Sequence, residues 1–323
     1  MKIAILDDWF DTLRSLPSFG KLAEHEVHVW TDHVEDEDIL AARLASMDAL
    51  VLIRERTRIT GALLDRLPKL ELISQRSVYP HVDVPACTRN GVLLCSNMHA
   101  DTPSYAAAEL TWALVLAAAR RLPEQFASLR AGTWIAGMGH TLRDKTLGIY
   151  GWGRIGSTVA GYGRAFGMNV IVWSSERSRE RASRDGWIVA ASREQFFAQS
   201  DVLSLHLRLF PLTRGIVTGA DLALMKPSAI LVNTSRAGLI APGALLAALE
   251  AGRPGTAAVD VFEEEPLTDP ADPLINHPRV VATPHIGYVT YEEFDLQFSD
   301  VFDQINAFAH GTPINCINPE AIS

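Results

Sequence analysis

Three glycines in the stretch GIYGWGRIG have the spacing of a dinucleotide-binding turn. Gly151, Gly153 and Gly156 form the pattern G-x-G-x-x-G, with a strand-like apolar run before it and a helical pattern after it. In this context Gly151 permits a tight turn, Gly153 lets a pyrophosphate approach the backbone, and Gly156 lets the helix pack on the strand. The amides of Arg154 and Ile155 then lie at a helix N-terminus, which favours phosphate. The alternative interpretation is a structural glycine-rich turn.

The stretch VIVWSSERSRE, at 170–180, bears on which dinucleotide that turn binds. A chain that uses NAD usually ends its second strand with Asp or Glu, which binds the ribose hydroxyls. Ser174 and Ser175 stand there instead, and Ser does not repel a 2′-phosphate. Arg177 has the charge to pair with one. Glu176 opposes this interpretation, since it can serve as the missing acid or point to solvent. The stretch therefore favours NADP, with NAD as the alternative cofactor.

Composition and charge restrict the class of protein. The chain has 323 residues, of which 48% are hydrophobic and 21% charged, the balance of a soluble globular protein with room for one large or two medium domains. Its net charge of -9 argues against nucleic acid or an anionic membrane surface as a partner. The most apolar window, 105–123, contains Glu109 and is shorter than the ~20 residues of a bilayer span. We expect a small-molecule substrate and no membrane or nucleic-acid partner.

The metal-binding and thiol residues are scattered. Cys87, Cys95 and Cys316 have neither the spacing of a disulfide framework nor that of a zinc site, so we expect three idle or buried thiols. Sparse cysteines fit a reducing, cytoplasmic location. The histidines show no metal-ligand spacing, and we expect no metal.

Short apolar runs alternate with helical patterns along the chain. One series fills about the first hundred residues and a second follows, which predicts two α/β domains with parallel sheets and crossover helices. A helix from about Asp101 to Arg121 is predicted to bridge them, with Asp101 and Thr102 near its N-terminal cap. The amphipathic stretch after Thr290 is predicted to pack back against the first domain.

Four stretches after the glycine turn complete a specific pattern: SLHLRLFPLTRGIV, LVNTSRAGLI, AAVDVFEEEPL and ATPHIGYVT. With GWGRIG they resemble the D-isomer-specific 2-hydroxyacid dehydrogenase family, which includes phosphoglycerate and glyoxylate/hydroxypyruvate enzymes. The resemblance implies an α/β fold of two doubly wound parallel-sheet domains. A Rossmann dinucleotide-binding domain, at 101–288, is inserted in a flavodoxin-like substrate (catalytic) domain, at 1–100 and 289–323. It also implies a homodimer, and Trp112 and Leu116 suit such a surface.

The activity implied by the resemblance is hydride transfer between a nicotinamide and C2 of a small D-2-hydroxy acid or 2-keto acid. The Arg of N-x-S-R-G is Arg236 here, the Glu of D-V-F-x-x-E-P is Glu265, and the His of T-P-H-I is His285. A His carries the proton of the carbonyl oxygen near neutral pH, and a carboxylate beside it stabilises the imidazolium. An Arg binds the substrate carboxylate by two parallel hydrogen bonds and polarises the carbonyl.

The same resemblance implies further contacts with the cofactor and the substrate. Besides the glycine turn and Ser174, the cofactor contacts are Leu207, Thr234, Ser235, Asp260 and Gly287. In the family a first-domain loop binds the substrate carboxylate through backbone amides, which makes Val78 and Tyr79 candidates. Arg54 is a candidate for binding an acidic substrate, with plain surface charge as the alternative.

This sequence departs from the family pattern at three positions. Ser77, Ala237 and Tyr288 stand where Gly is common. None removes a catalytic group, but together they leave the identity of the substrate open. The alternative function is a corepressor-like redox sensor that binds the cofactor without turnover. Such relatives carry extra disordered or motif-binding segments, which this sequence lacks, and its catalytic trio is intact, so we expect an enzyme.

Overall fold

The computed structural model describes residues 1–98 and 105–322. The chain divides into two compact units, of which unit 1 comprises Met1–Pro103 and Val289–Ser323 and unit 2 comprises Ser104–Tyr288. The predicted helix cap at Asp101 and Thr102, and the predicted domain boundary at 100, lie outside the described residues.

The first segment of unit 1 alternates strands and helices. Its elements are β1 (Lys2–Ile5), β2 (Glu26–Val29), α1 (Glu37–Leu44), β3 (Ala49–Val51), α2 (Gly61–Leu64), β4 (Leu72–Arg76), α3 (Val84–Arg89) and β5 (Leu93–Asn97). They form a parallel sheet in the order β2-β1-β3-β4-β5. The central strands β1, β3 and β4 are buried except at one terminal residue of β1 and of β4, because helices cover parallel sheets on both faces. Two short 3₁₀ helices, Leu13–Ser15 and Pro17–Leu22, follow β1.

Unit 2 contains the second alternating series. Its elements are α4 (Ala106–Arg120), α5 (Leu122–Arg130), β6 (Thr146–Tyr150), α6 (Arg154–Ala165), β7 (Asn169–Trp173), α7 (Glu176–Arg184), β8 (Ile188–Val189), α8 (Arg193–Gln199), β9 (Val202–Leu205), α9 (Gly219–Leu224), β10 (Ile230–Asn233), α10 (Ala244–Glu250), β11 (Thr256–Val259) and β12 (Val280–Ala282). The parallel sheet has the order β12-β11-β10-β9-β6-β7-β8. The chain runs outward from β6 to β8 and then returns to β9 on the other side. Ligands bind at such a switch point, outside the carboxyl ends of the strands.

The predicted end of the long helix, at about Arg121, agrees with the structure, in which Arg121 takes a left-handed φ of 54°. Helix α4 ends there and α5, which the sequence did not predict, begins at the next residue. Trp112 is buried in unit 2, with its ring centroid 4.9 Å from that of Phe166, so its predicted part in a dimer surface is wrong, whereas Leu116 is half-buried and its part stays a prediction. Within 1–98 and 105–322, no helix is long and apolar enough to cross a membrane.

The last helix, α11 (Tyr291–Ala309), belongs to unit 1. It packs on β4, β5 and the 3₁₀ helix Pro17–Leu22, which confirms the predicted return of the tail to the first domain. The side chains that it buries recur at helical spacing: Phe294, Phe298, Val301, Phe302 and Ile305.

Candidate active site

The glycine turn joins β6 to α6 in unit 2. Gly151 has a φ of 108°, and a Cβ there would lie 2.6 Å from the carbonyl oxygen of His206. A Cβ at Gly156 would lie 2.3 Å from the carbonyl oxygen of Gly151. Gly153 differs, because among the described residues a Cβ there would meet nothing within 4 Å, and this residue is the N-cap of α6. Open space beside an uncapped helix N-terminus fits a pyrophosphate.

Beyond the next strand, β7, the chain has no carboxylate until the first turn of α7. Ser174 is half-buried, and Ser175 is the N-cap of α7, although its side chain makes no capping hydrogen bond. Glu176 and Arg177 follow and are exposed. Arg179, one turn later, lies over the Trp173 ring at 4.3 Å. Arg177 is therefore the exposed cation of the first turn.

A tight turn after β10 presents Arg236. The Asn233 side chain closes it, since Nδ2 donates to the Arg236 carbonyl at 2.9 Å and Oδ1 accepts from the Ser235 amide at 3.1 Å. The Ser235 hydroxyl donates to the Leu207 carbonyl at 2.6 Å, and the Thr234 hydroxyl lies 2.6 Å from a threonine hydroxyl of α4. These contacts tie the predicted cofactor-contact residues after β9 and β10 to one another and fix the backbone at Arg236.

The loop after β12 is built on Asp260, which has no exposed surface. Oδ1 accepts from the Thr283 hydroxyl at 2.6 Å and the Ile286 amide at 2.9 Å, and Oδ2 accepts from the Gly287 amide at 2.9 Å. Burial raises the pKa of Asp260, although these three donors oppose the rise. His285 lies between them with a left-handed φ of 54°. Asp260 thus holds the loop that carries His285.

The imidazole and the carboxylate predicted to act together are in contact. His285 Nδ1 lies 2.5 Å from Glu265 Oε2, and Glu265 Oε1 accepts from the Phe262 amide at 2.8 Å. Burial would raise the pKa of Glu265, but the hydrogen bond and charge of His285, the Phe262 amide and the charge of Arg236 together lower it. The Tyr288 ring lies edge-on to the imidazole at 5.9 Å. Pairing through Nδ1 leaves Nε2 to exchange a proton with a ligand.

The strand order explains why residues far apart in sequence share this edge of unit 2. Arg236 follows β10, Glu265 follows β11 and His285 follows β12, three neighbouring parallel strands. A second histidine, His206, follows β9, with Nε2 2.9 Å from the Ser204 hydroxyl. Burial lowers the pKa of His206 to about 4, so this ring is neutral near pH 7 and does not donate a proton as an imidazolium.

The predicted substrate loop of unit 1 follows β4. The Gln75 amide donates to the carbonyls of Ser77 (3.1 Å) and Val78 (3.2 Å), and the Ser96 hydroxyl donates to the Ser77 carbonyl at 2.7 Å. Because a trans peptide points its N–H opposite its C=O, the amides of Val78 and Tyr79 point away from Gln75. Ser77 has a left-handed φ of 80°, and consecutive amides beside such a residue form an anion-binding concavity.

Two residue-level details of unit 1 were not evident from the sequence. The Tyr79 ring packs against the core, so its amide rather than its ring is the candidate contact. Arg56 donates to the Asp7 carbonyl at 2.6 Å and lies over the Trp9 ring at 3.8 Å, which gives it a structural role. Arg54 lies after β3 with a left-handed φ of 59° and is half-buried.

The fold and this site define an α/β oxidoreductase with a nicotinamide-binding domain. Residues 112–287 match the model of the D-isomer specific 2-hydroxyacid dehydrogenase, NAD binding domain. A glyoxylate reductase from Aeropyrum pernix is 39% identical over 310 residues, covering 92% of this chain and 91% of the relative. The chain belongs to the D-isomer specific 2-hydroxyacid dehydrogenase family, whose members are NAD-dependent oxidoreductases acting on hydroxy acids.

Two solved structures agree with this assignment over the whole chain. A putative D-3-phosphoglycerate dehydrogenase from Ralstonia solanacearum is 48% identical, with a TM-score of 0.94 and coverage of 100% of this chain and 98% of that one. A phosphoglycerate oxidoreductase from Vibrio cholerae is 47% identical, with a TM-score of 0.90 and coverage of 96% and 99%. The predicted family, fold class and enzymatic function are confirmed, and nothing supports the corepressor-like alternative.

Proposed function

We propose that this chain interconverts small 2-keto acids and D-2-hydroxy acids, with His285 as the proton donor and acceptor. The observation that supports this most strongly is the 2.5 Å contact between His285 Nδ1 and Glu265 Oε2, with Arg236 one strand farther along the same edge. A charged carboxylate on Nδ1 fixes the tautomer of the ring and stabilises the imidazolium.

In the reductive direction the protein supplies one proton, from His285, and two fixed charges, those of Arg236 and Glu265. A bound nicotinamide cofactor supplies the hydride that C2 receives. Arg236 binds the substrate carboxylate and polarises the carbonyl, and His285 Nε2 delivers a proton to the carbonyl oxygen. Glu265 keeps its negative charge throughout, so the imidazolium is stabilised before transfer and the neutral ring is held in place after it.

Residues on the carboxyl edge of unit 2 are the proposed cofactor contacts. The glycine turn, with the amides of Arg154 and Ile155, holds the pyrophosphate. The other proposed contacts follow the neighbouring strands: Ser174, Ser175, Arg177, Leu207, Thr234, Ser235 and Gly287. Asp260 acts through the loop it holds, because both of its carboxylate oxygens accept hydrogen bonds there. Its predicted direct contact with the nicotinamide end stays a prediction.

We propose that the cofactor carries a 2′-phosphate on its adenosine ribose, which makes it NADP rather than NAD. Ser174 occupies the strand end where a carboxylate would repel a 2′-phosphate, and Ser175 and Arg177 offer a hydroxyl and an exposed cation next to it. The N-terminus of α7, uncapped by a side chain, adds to the attraction for an anion. Glu176, the first residue of α7, carries a negative charge that opposes binding of the 2′-phosphate.

In unit 1 we propose that the Val78 and Tyr79 amides bind the substrate carboxylate. The carbonyls of this loop are held by Gln75 and Ser96, so the amides keep one orientation. Arg54, after the neighbouring strand β3, is the proposed contact for a second acidic group of the substrate.

A homodimer is the proposed assembly. Helix α5 and the segment after it expose a row of large apolar side chains: Phe126, Leu129, Trp134, Ile135 and Met138. Trp134 is 73% exposed and Met138 91% exposed, which is unusual for a monomer surface. This segment replaces Trp112 as the candidate interface. The cytoplasmic location stays a prediction.

The test is a substrate panel with both cofactors. Glyoxylate, hydroxypyruvate, pyruvate and bulkier 2-keto acids are each supplied with NADPH and NADH, and loss of nicotinamide absorbance is followed. We expect turnover of at least one acid, abolished by His285→Ala, while the exposed His310→Ala serves as the matched control. No turnover of any keto acid, or full activity in His285→Ala, would refute the proposal.

A further inference from the structure

Two of the three cysteines, far apart in sequence, lie opposite each other in unit 1. Cys95 is in β5, the edge strand of the sheet, and forms an antiparallel bridge with Cys316 in the C-terminal segment. The flanking hydrogen bonds join the residues on either side, from the Ser96 amide to the Asn315 carbonyl at 2.9 Å and from the Ile317 amide to the Leu94 carbonyl at 2.8 Å.

This pattern fixes the geometry of the pair. Because the flanking residues, and not the two cysteines, are hydrogen-bonded to each other across this bridge, Cys95 and Cys316 are a non-hydrogen-bonded pair, with Cα atoms ~4.5 Å apart and side chains on one face. That separation lies within the range of about 4.4–6.8 Å that a disulfide spans. Both cysteines are free thiols in the structure.

The two thiols also differ in environment. Cys95 is fully buried, whereas Cys316 is half-buried and reachable by a small reagent. Burial, and then the neighbouring Cys316 thiol, raise the pKa of Cys95. Cys316 is therefore the thiol that reacts first, and Cys95 is positioned to react with it. Cys87 is fully buried in α3, where burial raises its pKa to about 12, and it is not part of this pair.

We propose that Cys95 and Cys316 form a reversible cross-strand disulfide when the protein meets a disulfide oxidant such as oxidised glutathione. The Cys316 thiolate attacks one glutathione sulfur and releases one glutathione thiolate. The Cys95 thiolate then attacks the Cys316 sulfur of the mixed disulfide and releases the second. Two protein thiols are oxidised, one oxidised glutathione is reduced to two thiols, and each leaving thiolate takes up one of the protons released.

The bond joins the two chain segments of unit 1. Cys95 lies in the last strand before unit 2, and Cys316 lies in the tail that covers the edge of that strand. Buried Asn318 already holds the tail there, since Oδ1 accepts from the Leu94 amide at 2.7 Å and Nδ2 donates to the Val92 carbonyl at 3.0 Å. A covalent link restricts the unfolded chain across the whole inserted unit and stabilises unit 1 against opening of the tail.

The test uses the full chain incubated with oxidised glutathione and then alkylated under denaturing conditions. The three thiols of the reduced protein are expected to fall to one, with Cys87 as the one that remains. Mass spectrometry of the non-reduced digest should show a peptide linking Cys95 and Cys316. The melting temperature should rise by several degrees and return on reduction with dithiothreitol.

Variants separate this bond from other oxidation products. Cys87→Ser should keep both the linked peptide and the rise in melting temperature, whereas Cys316→Ser and Cys95→Ala should lose both. A stable glutathione adduct on Cys316, with Cys95 still alkylated after unfolding, would overturn the proposal. The wild-type digest decides this without any variant, so a poorly folded variant does not weaken the test.

Discussion

His285 Nδ1 lies 2.5 Å from Glu265 Oε2, and the pKa of Glu265 is lowered from its usual 4.5. A lowered pKa in the folded state means that the carboxylate contributes stability above its ordinary pKa and loses that contribution only as pH falls through the lowered value. The pair therefore keeps its negative member throughout the neutral and mildly acidic range. A change in rate over that range therefore does not come from protonation of Glu265.

Replacing Glu265 by Gln should slow reduction and move its pH profile. The amide oxygen still accepts from Nδ1–H, but the imidazolium loses its charged partner, which is worth about 1.5–3 kcal/mol, or about 10–150-fold in rate. The pH profile of the reductive kcat should change, because the imidazolium no longer has a charged partner. Steady-state rates across the pH range measure both effects. An unchanged pH profile would contradict the proposed role of the pair.

Asp260→Asn should loosen the loop that carries His285. The amide nitrogen cannot accept from the Gly287 amide, so the left-handed conformation of His285 loses part of its support. We expect kcat to fall about tenfold or more, since losing a hydrogen bond to a charged group costs ~1.5–3 kcal/mol. Thr283→Val removes only one of the three donors and should have the smaller effect. Equal, near-native kcat values in the two variants would argue against a positioning role.

The alternation of apolar runs predicted most of this fold, because parallel strands covered on both faces must be apolar and their crossovers must be helical. Arg236, Glu265 and His285 were instead identified by the family motifs, and in the structure they follow β10, β11 and β12. The start of α5 directly after Arg121 was not predicted, since a left-handed Arg leaves no mark in the hydrophobic pattern. The pairing of Cys95 with Cys316 depends on which strand lies at the sheet edge, and local sequence does not encode strand order.

The proposed preference for NADP over NAD can be tested with two substitutions that have opposite effects. Arg177→Ala should raise the KM for NADPH more than the KM for NADH, because only the 2′-phosphate pairs with the guanidinium. Ser174→Asp should shift preference toward NADH, since a carboxylate at the end of β7 binds ribose hydroxyls and repels phosphate. The ratio of kcat/KM for the two cofactors measures both. Equal small effects of Arg177→Ala on both cofactors would remove this residue from the site.

The exposed apolar row of α5 and its following segment predicts the oligomeric state. Trp134→Glu and Met138→Glu each place a charge in the proposed interface, where it loses water without gaining a partner. Sedimentation velocity should show a dimer for the native chain and a shift toward monomer for both variants. Leu212→Glu, at a 94% exposed position outside this segment, is the matched control. A native monomer would contradict the proposed dimer.

Gln75→Leu tests whether the substrate loop of unit 1 depends on its buried support. Gln75 is 1% exposed, and its amide holds the carbonyls of Ser77 and Val78. Leucine has a similar volume but no donor, so these carbonyls lose a partner and the outward amides lose their fixed orientation. Leaving such groups unpaired costs about 1–3 kcal/mol, which corresponds to a roughly 5–150-fold weaker interaction. We expect the KM for the keto acid to rise within that range while the KM for the cofactor stays near native.

Gln75→Glu keeps the side chain polar but puts oxygens against the two carbonyls, and it should raise the keto-acid KM at least as much. If both variants retained the native keto-acid KM, these amides would not be the carboxylate site.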